Sequence, residues 1–395
     1  MMVKVLPVAV CLMLVSQAWS QVIVHSFDGD SGPGLAACQA GGIRCDRPEM
    51  DVAVSGRSWP AYVERKTMKL IALLSFGGLL TMGANAEAGL LVVVNRAPGT
   101  VSLYRTEGAA LTLVKNLPAG KAPREVCLSP DGRRAYVTNQ GDTSVTAVDL
   151  NTAAVIATIS SPEMKAPDGC AVSPDSRKLY VAASGKDSVF VIATDTNRVV
   201  QEIPVKLHVL RRLTFSPDGS RLYLTCNQTP EIAVIDPKSN EVTHSIRVGN
   251  ENRGGLAFLP DGKTMVSGSV EDDTLYFIDT GTRQVTRIIG VPVSPQRIEV
   301  TPSGHIFVLC RGGQRLPDQA YRPVLFAIFD PAKHDKSNSI PVGQAPWGLA
   351  MTRDGKTLYV SSNTDNHILA IDAETMKVLS TTPVEKDPNG IAFRQ

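Results

Sequence analysis

From Leu90 to the C-terminus the apolar positions come in short runs, many of them alternating with polar ones. Residues 135–139 (AYVTN), 179–183 (LYVAA), 222–226 (LYLTC), 264–268 (TMVSG), 306–310 (IFVLC) and 358–362 (LYVSS) are β-branched or aromatic. Each is followed by a polar loop and a second alternating run, such as 144–150 (SVTAVDL) or 231–237 (EIAVIDP), and then a third, such as 155–160 (VIATIS). A small apolar triplet precedes each first run: VCL, CAV, LTF, LAF, IEV and LAM. Period-two runs of this length bounded by turn residues predict strands.

The strands repeat as a unit. Turns of the type SPDG stand at 129–132, 173–176, 216–219, 259–262, 301–304 and 352–355, at intervals of 44, 43, 43, 42 and 51. Proline presets φ at such a turn, aspartate bonds its own backbone and glycine accepts positive φ. Four short strands per unit of about 43 residues predict β-propeller blades. The first unit, 91–114, has three strands and lacks the innermost. The triplet Ile391-Ala392-Phe393 is an innermost strand without the other three. Together they make one blade. The expected fold is therefore an all-β, seven-bladed propeller over 87–395, closed by pairing of the C-terminal strand with the N-terminal blade, which leaves no open edge there.

Tyr136-Val137-Thr138-Asn139, with SPDG before it and SVTAVDL after it, resembles the YVTN-family β-propeller repeat proteins over the whole of 87–395. The resemblance implies an exported seven-bladed propeller. Some seven-bladed relatives are enzymes, among them lactonases, a streptogramin lyase and quinoprotein amine dehydrogenase subunits. Fold alone does not choose among these roles.

Composition narrows the picture. The chain has 395 residues, 43% of them apolar, which excludes disorder. A formal net charge of +2 gives no global field for nucleic acid, so a strong salt-dependent nucleic-acid footprint is not expected. The N-terminus reads as a secretory signal: Lys4, an apolar run 5–15, then Ala18-Trp19-Ser20 before Gln21. A second signal-like segment occupies 68–86, with Met68-Lys69, an apolar run 70–80 and Ala84-Asn85-Ala86. Neither run is long enough to span a membrane. Residues 21–67 form an irregular segment with none of the later pattern, and a natural start at Met68 would leave 1–67 outside the mature protein. Either signal places the mature chain in the periplasm or outside the cell. Cys127 and Cys170, on the innermost strands of adjacent blades, could then face each other as a disulfide or as buried thiols, whereas Cys226 and Cys310 lie two blades apart. There is no C-x-x-C.

Propeller ligands sit at the mouth of the central channel, on loops leading into the innermost strand or joining the second strand to the third. The position just before each innermost triplet reads Gly390, Glu125, Gly169, Arg212, Gly255, Arg297 and Gly348. Glycine is expected where backbones crowd the axis; Glu125, Arg212 and Arg297 break that rule. Arg96, Arg124, Arg211, Arg212, Arg253, Arg297 and Arg311 map to one face with almost no lysine, and Trp347 stands at a position small or polar in most blades. Arginine presents a planar fork suited to carboxylate or phosphate. The expectation is an anion-binding mouth; a solvated rim of local ion pairs, such as Arg297 with Glu299, is the alternative. The long loop 311–322 in the sixth unit adds Arg311, Arg315, Tyr321 and Arg322.

Two roles follow. One is a binding or scaffold module for an anionic small molecule or a protein partner. The other is a lactonase- or lyase-like enzyme in the channel, with Glu125 and Asp168 (and Asn227 for a cation) or His208 as a base. No cofactor is expected. A divalent cation at Glu125, Asp168 and Asn227 would face repulsion from Arg124, Arg211 and Arg212.

Overall fold

The computed structural model describes short strands at 23–26, 34–37 and 51–52, and residues 89–395 apart from 250–253, 317–318 and 332–336. Ile23–Ser26 pairs antiparallel with Gly34–Ala37 and with Asp51–Val52. The two signal-like segments lie outside the described residues, as does Arg253. Among the described residues no helix is long and apolar enough to cross a membrane.

Seven four-stranded antiparallel sheets follow one another as blades. Blade 1 orders Pro388–Arg394, Gly89–Asn95, Thr100–Glu107 and Ala110–Pro118 from the axis outward. Blades 2 to 7 start from the innermost strands Pro123–Leu128, Pro167–Val172, Leu210–Phe215, Leu256–Phe258, Pro295–Val300 and Pro346–Met351, each followed by three more strands. The ring closes as the sequence predicts: Ile391 opposes Val93 and Ala392 opposes Val92. Arg394 reinforces the closure by donating to the Gly132 carbonyl (3.2 Å) and to Asn151 Oδ1 (3.0 Å) of blade 2. The long loop of blade 6 contains a small hairpin of its own, Gly313–Leu316 with Gln319–Tyr321.

The core lies between neighbouring sheets. Second and third strands are buried along nearly their whole length, whereas outermost strands alternate. Tyr136, Phe190 and Leu179 of blades 2 and 3 are fully buried in one cluster. Each such side chain contributes about 1.5–3 kcal/mol on transfer from water. The SPDG turns do what their chemistry predicts. Ser129 Oγ donates to Asp131 Oδ1 (2.5 Å) and accepts from the Arg134 amide (2.9 Å), while Gly132 takes a φ of 69°.

Two backbone features aim the channel residues. The residue before or at the opening of innermost strands is left-handed without being glycine: Ala122, Ala166, Val209, Ser294, Ala345 and Asp387 all have φ between 46° and 66°. Immediately after it the ladder slips by a bulge, as between Pro123 and Glu125, Leu210 and Leu213, and Pro295 and Arg297. A bulge turns side chains out of the pleat, here towards the axis and the mouth.

Candidate functional site

Glycine and long charged residues alternate around the axis from Gly390 of blade 1 to Gly348 of blade 7. The glycines are required by close backbone approach. A Cβ on Gly169 would lie 1.8 Å from the Arg211 carbonyl oxygen, and one on Gly348 2.6 Å from that of Asn389. The space they leave is filled by Glu125, Arg212 and Arg297, from blades 2, 4 and 6. Glu125 Oε2 accepts from Arg297 Nη2 at 2.5 Å and also from Arg212 Nη1. Arg297 Nε donates in addition to the Trp347 carbonyl (3.1 Å). Burial alone would raise the Glu125 pKa, but the guanidiniums of Arg297 and Arg212 outweigh it and hold the carboxyl below its ordinary value. Burial and the neighbouring Arg297 pull the Arg212 guanidinium down to about 9.

A second ion cluster sits beside it. Asp168, 2% exposed, accepts from Arg124 Nε (3.0 Å), Arg211 Nη1 (2.6 Å) and Gln140 Nε2 (3.2 Å). Arg124 Nη1 also donates to Gln140 Oε1 (3.1 Å). Above this pair lies Trp347, 6% exposed, with the Arg124, Arg311 and Arg211 guanidinium carbons 4.5, 5.1 and 5.9 Å from its ring centroid. Trp347 Nε1 has no hydrogen-bond partner among the described residues. Arg311 is exposed and pairs with no acid among the described residues. Partial desolvation of its guanidinium, and then the nearby Arg211, lower its pKa.

Inward of the Glu125 bridge is a cavity of about 170 Å³, lined by Glu125, Arg212, Thr214, Gly255, Arg297 and Glu299 among others. Glu299 has no hydrogen-bond partner among the described residues, and burial pushes its carboxyl up to about 7, with Arg297 acting in the opposite sense. The local Arg297–Glu299 pair that the sequence offered as an alternative does not form; Arg297 reaches across the channel to Glu125 instead.

The structure thus brings together Glu125, Arg212 and Arg297 in the channel, and Arg124, Asp168, Arg211, Arg311 and Trp347 at its mouth. Arg96 is exposed and only its backbone amide is engaged, with Asp387. His208 stands outside the cavity lining, its side chain 70% exposed and its ring bonded to Asp187 (2.8 Å). Of the three groups proposed for a divalent cation, the carboxylates of Glu125 and Asp168 are already engaged, and Asn227 Oδ1 is buried without a partner among the described residues. Glu125 and Asp168 each already bind two guanidiniums, and no group of three potential ligands gathers among the described residues. The sequence missed Glu299 as a free carboxyl and the stacking of Arg311 on Trp347. The first is signalled only by an acid at a middle triplet position that is alanine in four other blades. Cys127 and Cys170 form a disulfide linking the innermost strands that carry Glu125 and Asp168.

Residues 83–248 match the family described as lactonase, 7-bladed β-propeller. No curated protein sequence matches the chain. Among solved structures, hydrazine synthase of Kuenenia stuttgartiensis is similar at 24% identity and TM-score 0.62, over 68% of this chain and 89% of that one. A "putative 6-phosphogluconolactonase" of Bacteroides fragilis is similar at 15% identity and TM-score 0.66, over 80% and 100%. A functionally unknown protein of Desulfotomaculum acetoxidans reaches TM-score 0.65 at 12% identity, over 78% and 99%. At these identities the likeness is one of fold. The chain is therefore a seven-bladed β-propeller whose residues 83–248 are similar to the lactonase family.

Proposed function

We propose that the propeller binds an anionic small molecule at its channel mouth, on the face formed by Trp347, Arg124, Arg211 and Arg311. The observation that carries this reading is the charge imbalance there. Arg124 and Arg211 share one carboxylate, Asp168, and Arg311 has none among the described residues. The Arg311 guanidinium sits over the Trp347 ring at 5.1 Å from its centroid, a contact that favours an ordered fork. The unpartnered Trp347 Nε1 offers a further donor. A carboxylate or phosphate would complete these groups, and loss of Arg311 should weaken its binding. Calorimetric titration of dicarboxylates and phosphorylated sugars into wild type and Arg311→Ala tests this.

A second reading is favoured by Glu299. A carboxyl that titrates near 7 can accept a proton from water attacking a lactone carbonyl, and Arg212 and Arg297 line the same cavity, where an oxyanion would need donors. Similarity to lactonase-family propellers agrees with it. In this role Glu299 would replace Glu125, Asp168 and His208 as the acid–base group. Lactone hydrolysis lost in Glu299→Gln with no loss of stability would support it; hydrolysis unaffected by that change would exclude it.

A further inference from the structure

A second cavity, of about 320 Å³, lies between blades 4 and 5 near the outside of the ring, lined by Arg221, Tyr223, Thr243, His244, Thr280 and Arg283, with Gly281. The neighbouring groove between blades 3 and 4 holds a different set of residues at the same repeat positions. Lys178, Tyr180, Gln201 and Asn240 form a closed network. Lys178 Nζ and Tyr180 Oη both donate to Asn240 Oδ1 (3.3 and 2.7 Å), and Asn240 Nδ2 donates to Gln201 Oε1 (2.7 Å). Counting along the repeat, these four positions become Arg221, Tyr223, His244 and Arg283. The backbones agree. Asn240 and Arg283 are both left-handed, at φ 55° and 63°, and each amide bonds the carbonyl of an aspartate four residues earlier (2.8 Å in both).

The substitution changes the chemistry of the groove. A neutral amide that accepted two hydrogen bonds and donated one is replaced by a guanidinium that accepts none. Arg283 has no polar side-chain partner among the described residues. Arg221 makes a 3.4 Å pair with Asp236 and donates to the Ser220 carbonyl (2.7 Å). The Thr243 hydroxyl donates to the Val234 carbonyl (3.1 Å), so at its contact with His244 Nδ1 (2.9 Å) the ring nitrogen must donate. That leaves Nε2 as the ring's remaining polar atom. Burial, then Arg283 and Arg221, lower the His244 pKa. Two guanidiniums, an imidazole and a phenol therefore converge on one cavity, while the carboxylates beside it are engaged elsewhere: Asp236 with Arg221, Asp218 with Ser216 and Ser220, and Asp279 with Thr282. The left-handed backbone that asparagine tolerates is also strained for arginine.

We infer that the groove between blades 4 and 5 is a binding site for a tetrahedral oxyanion, phosphate or a phosphate monoester, held by Arg221, Arg283 and His244. Two guanidinium forks match such a dianion in charge, and the imidazole becomes a further donor when Nε2 takes up a proton with the anion. The site is separate from the channel mouth and does not rest on the reading given for it.

The test reads His244 itself, by the ring resonances of the full chain assigned with His244→Gln. Inorganic phosphate should shift these resonances saturably and raise the titration midpoint of the ring, because the bound dianion offsets Arg283 and Arg221 and adds to the negative fields of Asp236, Asp218 and Asp279 beside Tyr223. Arg283→Asn restores the residue of the neighbouring repeat, fits the left-handed backbone and should fold, yet weaken phosphate at least about tenfold. Arg311→Ala should leave the response unchanged. Phenyl phosphate run beside inorganic phosphate distinguishes an esterified from a free anion, whichever binds tighter. A His244 signal unmoved by millimolar phosphate, or an Arg283→Asn response equal to wild type, would overturn the inference.

Discussion

Glu125 of blade 2 and Arg297 of blade 6 stand on sheets that share no edge, yet their side chains meet at 2.5 Å inside the channel. Arg212 of blade 4 joins the same carboxylate oxygen. Three innermost strands are thereby tied across the axis by one acid and two bases. Removing the acid leaves two buried guanidiniums without a counter-charge, and breaking a buried pair in this way costs about 3–5 kcal/mol. Glu125→Gln should lose stability of that order in chemical denaturation, whereas a surface control such as Glu107→Gln should change little.

The same bridge sets a pH dependence. The folded Glu125 pKa lies below its ordinary value of 4.5. Its contribution is therefore fully present above that value and is lost as pH falls through the lower folded value. Acid unfolding of Glu125→Gln should be less steep below about pH 4 than that of wild type. Equal slopes would mean that the carboxyl is not held by the guanidiniums.

Glu299 has the opposite sign. Its folded value of about 7 exceeds the ordinary 4.5. The protonated form is favoured in the fold, so stability declines as pH rises from the ordinary value to the folded one and is then level. Glu299→Gln should abolish this decline and be more stable than wild type at pH 8. Denaturation midpoints at pH 5 and pH 8 measure it directly.

Cys127 and Cys170 close a loop of 43 residues between blades 2 and 3. Loop-closure entropy assigns such a cross-link about 4 kcal/mol. Replacing both cysteines with alanine should lower stability by up to that amount, and a reducing agent should destabilise wild type but not the double variant.

Much of the fold was legible because a repeat states each rule several times. The turn at 129–132, the run 135–139 and the terminal triplet 391–393 define blade length, strand order and closure. The site was legible only as composition. The positions of Glu125, Arg212 and Arg297 could be counted along the repeat, but counting does not tell which acid meets which base across an axis. Arg297 and Glu299, two residues apart, looked like partners; the bulge at Pro295–Arg297 and the glycines of neighbouring blades send Arg297 to Glu125 instead. Arg96 and His208 satisfied the positional rule and still lie apart from the cluster, because their side chains face solvent or Asp187. The disulfide was one of two open states for a facing cysteine pair.

Trp347 offers a check on the mouth itself. Its ring underlies Arg124, Arg211 and Arg311, so Trp347→Ala should weaken anion binding by removing cation–π support worth about 0.5–2 kcal/mol. Trp347→Phe, which keeps a ring but lacks the free Nε1 donor, should fall between alanine and wild type.

The most direct measurement is calorimetric titration of the full chain with a panel of dicarboxylates and phosphorylated sugars, on wild type and Arg311→Ala side by side. The account predicts saturable binding of at least one anion by wild type, and binding at least about tenfold weaker in Arg311→Ala with the melting temperature of the free protein unchanged. Equal affinity of the two proteins for every anion that binds, or no binding by wild type, would contradict it.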